Sequence, residues 1–91
     1  MISKSLIIAG HVQGVGFRDW IIRRARRQGI VGWVRNRRDG TLEALIAGEA
    51  DAVEELLRAC RRGPPGAEVQ SITEHFADPP TEPGFTKRPT A

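Results

Sequence analysis

The spacing of apolar residues predicts two amphipathic helices. Over the segment Phe17–Gln28, a helical wheel gathers the apolar side chains on one side and most arginines on the other. Gly29 follows, and a glycine with an apolar residue after it is typical of a helix C-terminus. Over Ala50–Arg62, apolar residues recur at positions i, i+3, i+4 and i+7, until a Gly-Pro-Pro-Gly segment ends the pattern. We therefore expect a helix over each segment.

Four further stretches are rich in β-prone or alternating residues and predict strands. They are Ser5–Val12, Val31–Arg38, Thr41–Ala47 and Glu68–Phe76. Asp-Gly between the second and third is a strong hairpin signal. The order β-α-β-β-α-β predicts an α+β fold of the ferredoxin-like, split βαβ type, with an antiparallel sheet and two helices on one face.

The C-terminal segment, residues 77–91, is rich in proline and polar residues. We expect a loop there, a short edge strand around Phe85–Arg88, and a loose end. The chain is short enough for one domain spanning residues 1–91, with an ordered core over about residues 3–88.

Composition says more about the core and the cellular location of the protein than about its function. A hydrophobic fraction of 40% suffices for a core, and the single cysteine, Cys60, cannot form an intramolecular disulfide. The apolar run Leu6–Ala9 is too short for a signal peptide or a membrane span. We expect a soluble, cytoplasmic monomer without a membrane partner. The pI of about 10 suits either nucleic acid or a small phosphorylated metabolite, and net charge does not choose between them.

A glycine-rich loop, Gly10–Arg18, lies between the first predicted strand and the first helix. Glycines let the backbone wrap around a ligand, and N–H groups at a helix start bind anions. Arg18 falls near the apolar side of the wheel, away from the other arginines, which suits a bidentate phosphate contact. A tight strand-to-helix turn is the simpler interpretation of the same glycines. The loop lacks the Lys-Ser/Thr of a P-loop, and Asp19 stands where a dinucleotide fingerprint needs a small residue.

Asn36 is the second candidate residue, because asparagine is disfavoured in strands. It shares a predicted face with Gly32 and Val34. It either helps to cap the nearby turn or orients a water molecule without competing for protons.

Two motifs together resemble the acylphosphatase family. One is Gly-x-Val-Gln-Gly-Val-x-Phe-Arg, at Gly10–Arg18, and the other is Gly-Trp-Val-x-Asn-x-x-Asp-Gly-x-Leu-Glu, at Gly32–Glu43. The resemblance covers about residues 3–88 and implies hydrolysis of acyl phosphates to a carboxylate and inorganic phosphate, without metal or cofactor. It implies that Arg18 binds the phosphate and Asn36 positions the water. The implied phosphate-binding residues are Gln13, Gly14, Val15, Gly16, Phe17 and Arg18.

Two further functions compete with this interpretation. An RNA-binding module can have the same fold, but it stacks bases on aromatic residues of its central strands, and the first and third strands here have none. A non-catalytic sensor of phosphate or carbamoyl phosphate is the second competing function. We expect a small acyl phosphate, inorganic phosphate or another small anion as ligand, and no nucleic acid.

Three more residues need an interpretation beside these motifs. We expect His11 to be structural or solvent-facing and Cys60 to lie in the core. Asp19 either pairs with Arg18 or supplies a favourable charge at the helix N-terminus.

Overall fold

A computed structural model describes the whole chain, Met1–Ala91. It contains five strands and two helices. The strands are β1 (Ile2–His11), β2 (Val31–Asn36), β3 (Leu42–Gly48), β4 (Glu68–Phe76) and β5 (Phe85–Lys87), and the helices are α1 (Phe17–Arg27) and α2 (Ala50–Arg62). No helix is long and apolar enough to cross a bilayer.

The strands form one sheet in the order β4-β1-β3-β2-β5. The four long strands pair antiparallel, and β5 adds a parallel edge next to β2. The predicted split βαβ arrangement is therefore confirmed, with a parallel edge strand that the sequence did not specify. Because β1 and β3 run in opposite directions, the two helices begin at opposite ends of the sheet.

The core lies between the helices and one face of the sheet. Alternate residues of the central strands point into it, such as Leu6 and Ile8 on β1 and Ala44 on β3, all fully buried. They meet the apolar stripes of the helices, including Ile21 on α1 and Leu56 on α2. Burial of apolar surface at roughly 25 cal/mol per Å² is the main force that fixes these helices on the sheet.

Cys60 belongs to this core, as predicted, and is fully buried on α2. Loss of hydration disfavours its thiolate, and burial raises the pKa of the Cys60 thiol to about 12. The side chain is therefore a neutral packing group at physiological pH.

The first helix ends as the glycine predicted. Gly29 adopts a φ of 70°, and the N–H of Ile30 donates to the carbonyl of Ala25 at 2.9 Å. That bond satisfies a carbonyl of the last turn and turns the buried Ile30 back toward the core. The second strand ends two residues earlier than predicted, because Arg37 already belongs to the hairpin turn that its bond to Thr41 closes.

The end of the chain is more ordered than the proline-rich sequence indicated. Phe85 is buried and anchors β5, so the predicted edge strand is present. Beyond it, the N–H of Ala91 donates to the carbonyl of Asn36, and the N–H of Arg38 donates to the carbonyl of Ala91. The expected loose end is therefore wrong for Ala91, which is held against the end of β2.

A buried cation lies at the opposite end of the sheet. Lys4 is 9% exposed, and its Nζ contacts Glu74 Oε1 at 2.8 Å and Glu54 Oε1 at 3.0 Å. The bond to Glu74 and then the bond to Glu54 raise the pKa of Lys4. The two carboxylates thus hold its charge where the sheet meets α2, and no sequence motif indicated this cluster.

Candidate active site

A five-residue loop, residues 12–16, joins β1 to α1. Gly14 and Gly16 have φ angles of 76° and 78°. A Cβ built on either glycine would meet nothing within 4 Å, so space is not what excludes a larger residue. The left-handed backbone itself requires glycine at both positions.

This loop leaves a row of backbone donors without partners. The N–H groups from Gln13 to Asp19 donate to no carbonyl of the protein, and the first helical N–H that does is Trp20, which donates to Gly16 at 3.0 Å. Gly16 is the N-cap and brings no side chain to satisfy them. Together with the positive end of the helix dipole, these groups are suited to bind an anion.

The side chain of Gln13 fixes this loop to the hairpin. Its Nε2 donates to the carbonyl of Arg37 at 2.8 Å and to the carbonyl of Thr41 at 3.0 Å. Both carbonyls lie at the β2–β3 turn. The side-chain amide of Gln13 therefore couples the two motifs of the sequence, and its backbone N–H is the donor that it has left for an anion.

Asn36 is the last residue of β2, where it pairs with Leu42 of β3. The alternation of the strand puts it on the same sheet face as the buried Val34, which is the face that the helices cover. Its backbone carbonyl accepts the bond from Ala91. The side-chain amide makes no hydrogen bond to the protein and does not cap the turn, whose exposed carboxylate, that of Asp39, binds Thr41 instead.

A small pocket of about 70 Å³ lies where the loop, the end of β2 and β5 meet. Its walls are formed by Val12, Gly14, Gly16, Phe17, Arg18, Asp19, Asn36 and Lys87. Pockets for drug-sized ligands are about 300–1,000 Å³, so this one suits a single small group with any remainder outside. Five of the predicted site residues meet here. Gln13 and Val15 are not in the wall, and Val15 packs instead against the core.

Two charged residues at this pocket were not predicted as a pair. Lys87 Nζ lies 2.7 Å from Asp19 Oδ1, so Asp19 contacts β5 and not Arg18. The bond to Lys87 is the main cause that lowers the pKa of Asp19, and the charge of Arg18 contributes less. No motif contains Lys87, and only the pairing of β5 with β2 brings it to the site.

Larger depressions lie on the helix face, away from both motifs. They measure about 260 and 230 Å³ and share Arg24 and Glu55 in their walls. Their other lining residues are mostly arginines that are largely open to solvent. In one of them the neutral amide of Gln28 lies beside Arg24 and Arg27, but neither depression has a row of unpaired backbone donors, and both therefore fit a solvated charged surface.

The histidine and aromatic residues outside the pocket do not form a second site. His11 is exposed, as predicted, and no group of three or more His, Cys, Asp or Glu side chains is arranged to hold a metal ion. On the sheet face away from the helices, the ring of Trp33 is covered by the guanidinium groups of Arg35 and Arg88 at 4.9 and 4.5 Å. The strands that carry stacking aromatics in RNA-binding modules have none here.

Comparisons with known proteins agree with this geometry. The chain is 71% identical over 90 residues to an acylphosphatase of Acidiphilium cryptum (strain JF-5), covering 99% of each chain. Its fold matches a crystal structure of acylphosphatase from Bacillus subtilis with a TM-score of 0.90 and 31% identity, covering 97% of this chain and 99% of that one. It also matches 12% of full-length HypF, solved with phosphate and nucleotide bound, with a TM-score of 0.88 and 25% identity over 98% of this chain.

The sequence model of the acylphosphatase family matches residues 4–87, which include both motifs and every wall of the pocket. Identity to the Acidiphilium protein extends over nearly the whole chain, and the fold of the Bacillus enzyme is reproduced from end to end. With a loop of unpaired backbone N–H groups, its arginine and a neutral amide at one small pocket, the chain belongs to the acylphosphatase family and is an enzyme that hydrolyses acyl phosphates.

Proposed function

We propose that the backbone N–H groups of the Gly10–Arg18 loop and the guanidinium of Arg18 hold the phosphoryl group, while Asn36 orients the attacking water. The observation that carries this proposal is the shared pocket, because a space of about 70 Å³ is lined by both Arg18 and Asn36. A pocket of that size takes the phosphoryl group and leaves the acyl part outside.

Arg18 supplies the positive charge in this mechanism. A guanidinium donates two parallel hydrogen bonds to a phosphate, and the free N–H groups of the loop satisfy further oxygens. Phosphoryl transfer passes through a loose transition state whose charge is spread over the equatorial oxygens. Donors fixed in advance around that charge lower the barrier without rearranging during the reaction.

Asn36 acts on the water and not on the proton. Its amide can hold a water molecule in line with the bond that breaks, but it cannot serve as a base. The water oxygen forms a bond to phosphorus, and the bond from phosphorus to the acyl oxygen breaks. The acyl part leaves as a carboxylate, which is stable without protonation, and the proton of the water passes to a phosphoryl oxygen.

We also propose that the reaction needs no metal ion, since Arg18 and the loop provide the charge stabilisation that Mg²⁺ provides in many phosphoryl transferases. The enzyme is proposed to act as a cytoplasmic monomer. Light scattering at micromolar concentration tests the monomer, and a mass near the 10.0 kDa of one chain is expected.

The experiment for Arg18 is steady-state release of phosphate from benzoyl phosphate in the presence of EDTA. Wild type is expected to turn over in EDTA, and Arg18→Ala is expected to lose about 10³-fold in kcat/KM, as arginines that stabilise phosphoryl transfer do. Arg23→Ala is the matched control, because it removes an exposed arginine of the same helix. Equal losses in both variants, or no wild-type turnover above the spontaneous rate, would contradict the proposal.

Asn36 is tested by separating binding from chemistry. Asn36→Ala is expected to lower kcat about 10²-fold, a loss typical of one removed polar group in an active site. Competitive inhibition by inorganic phosphate should stay near the wild-type level, since the amide acts on water. In Arg18→Ala, by contrast, phosphate inhibition should be lost. If Asn36→Ala lost phosphate binding as well, its proposed role would be wrong.

A further inference from the structure

The ion pair between Lys87 and Asp19 lies in the wall of the active-site pocket. Lys87 comes from β5 and Asp19 from the first turn of α1, and their charged atoms are 2.7 Å apart. Both side chains reach solvent, with 42% and 60% of their surfaces exposed. An exposed pair of this kind contributes little to folding, so its position beside Arg18 and Asn36 suggests a role in the reaction.

The carboxylate of Asp19, the residue that directly follows Arg18, can compete with phosphate for the guanidinium. A carboxylate fits the same two donors of a guanidinium that a phosphate uses. Both side chains come from the first turn of α1 and line the same pocket, so this carboxylate is near enough to compete with a dissolved anion. Yet Arg18 forms no ion pair with a carboxylate of the protein, whereas Asp19 contacts Lys87.

We propose that Lys87 is a positioning residue that holds the carboxylate of Asp19 away from Arg18 and so keeps the guanidinium available for phosphate. This inference rests on the proposed role of Arg18. Without Lys87, the carboxylate of Asp19 turns toward Arg18 and must be displaced by each substrate molecule. Such competition weakens binding of substrate and transition state to the same extent, and therefore raises KM without lowering kcat.

A double-mutant cycle tests this role. Lys87→Met keeps the length of the side chain and removes its charge, and it is expected to raise the KM for benzoyl phosphate about fivefold, with kcat within about twofold. Lys87→Arg restores a cation and should return KM to the wild-type range. In an Asp19→Asn background, adding Lys87→Met should change KM less than about twofold, because the competing carboxylate is gone.

The matched control is Glu82→Gln, which removes an exposed ion pair with Arg88 on the same C-terminal segment but outside the pocket. Its KM should equal that of wild type. Thermal unfolding by circular dichroism checks that every variant is folded at the assay temperature.

Two results would overturn the inference. If Lys87→Met raises KM equally in both backgrounds, Lys87 binds the substrate directly as a second cation. If it leaves KM unchanged, Asp19 does not compete. Calorimetric titration with inorganic phosphate measures a Kd for each protein of the same cycle and does not require turnover. A wild-type Kd in Arg18→Ala would refute the proposed role of Arg18, whereas an unchanged Kd in Lys87→Met, with binding lost in Arg18→Ala, would refute only the role of Lys87.

Discussion

The fold contains two strand-to-helix junctions in equivalent places, and they differ in their length and in the charges around them. Between β1 and α1 there are five residues with two left-handed glycines, whereas between β3 and α2 only Glu49 intervenes. Neither helix has a side-chain cap bond at its N-terminus. Both junctions therefore offer backbone N–H groups and the positive end of a helix dipole, at opposite ends of one sheet.

The charges around the two junctions decide which one can bind an anion. At the start of α2, the carboxylates of Glu49 and Asp51 place negative charge at the positive end of the helix dipole. The protein itself therefore supplies the anion at this junction. At the start of α1, Arg18 adds positive charge, and the one nearby carboxylate, Asp19, contacts Lys87. The fold supplies a helix N-terminus twice. The loop, the arginine and the placement of its neighbouring carboxylate make the first junction the one that we propose as the phosphate site.

Among variants that keep both Arg18 and Asn36, Gly16→Ala is expected to give the largest effect, because it changes the backbone of the first junction directly. An alanine at a φ of 78° costs about 1–2 kcal/mol of folding free energy. The strained loop also displaces the N–H groups from the phosphate, and a misplacement of this kind lowers kcat/KM by about tenfold to hundredfold. Phosphate release and thermal unfolding are measured on the same preparation.

Gly29→Ala is the control for that variant. Gly29 has a similar φ of 70° and equally open space, but it lies at the other end of α1. Its stability loss should match that of Gly16→Ala, while kcat/KM stays near wild type. A similar loss of activity in both variants would mean that strain anywhere in α1 disables the site.

Lys4→Met tests whether the end of the sheet away from the pocket contributes to stability and not to activity. Removing the ammonium leaves Glu54 and Glu74 close together, with only the longer contact of Glu74 to Arg61 as a counter-charge, and should cost about 1–2 kcal/mol of folding free energy. The raised pKa of Lys4 means that its stabilisation is complete below pH 10.5 and is lost as the pH rises through the folded-state value.

The measurement for Lys4 is denaturant unfolding at pH 7 and at several values above 10.5. Wild type should lose stability over the alkaline range more steeply than Lys4→Met, and phosphate release at pH 7 should be similar in both. A variant with wild-type stability at pH 7 would show that the cluster contributes nothing to folding.

Glu49→Gln and Asp51→Asn give the smallest expected effect. Each removes a charge that favours the N-terminus of α2 and should cost about 0.3–1 kcal/mol of folding free energy. The KM for benzoyl phosphate should not change, because this junction lies far from the pocket. A lower KM in either variant would indicate that long-range charge, and not the local loop, governs substrate binding.

The sequence predicted the elements well because their signals are local. Helix periodicity, the glycine that ends α1, and the Gly-Pro-Pro-Gly that follows α2 depend on neighbours along the chain, and α2 has the predicted bounds, Ala50–Arg62. The two motifs named Arg18 and Asn36 by residue type and spacing. The predicted catalytic roles of both remain proposals that the variants above test.

What the sequence could not predict depends on pairing between distant segments. Nothing in the order of residues along the chain shows that the side chain of Gln13 bonds the hairpin, that Ala91 reaches Asn36, or that Lys87 meets Asp19. Each contact requires the register of β5 on β2 or the approach of the loop to the turn. The sequence therefore did not indicate the polar contacts around the pocket, although its motifs contain the residues that we propose for the site.

The most direct test of the difference between the junctions is a titration of isotope-labelled protein with inorganic phosphate, followed through the backbone amide resonances. We expect saturable shifts that are largest from Gly14 to Arg18, with none at the start of α2, and we expect Arg18→Ala to abolish them. Phosphate-induced shifts that centre on residues 49–53 or on the arginines of the helix face, with the loop unaffected, would contradict the account.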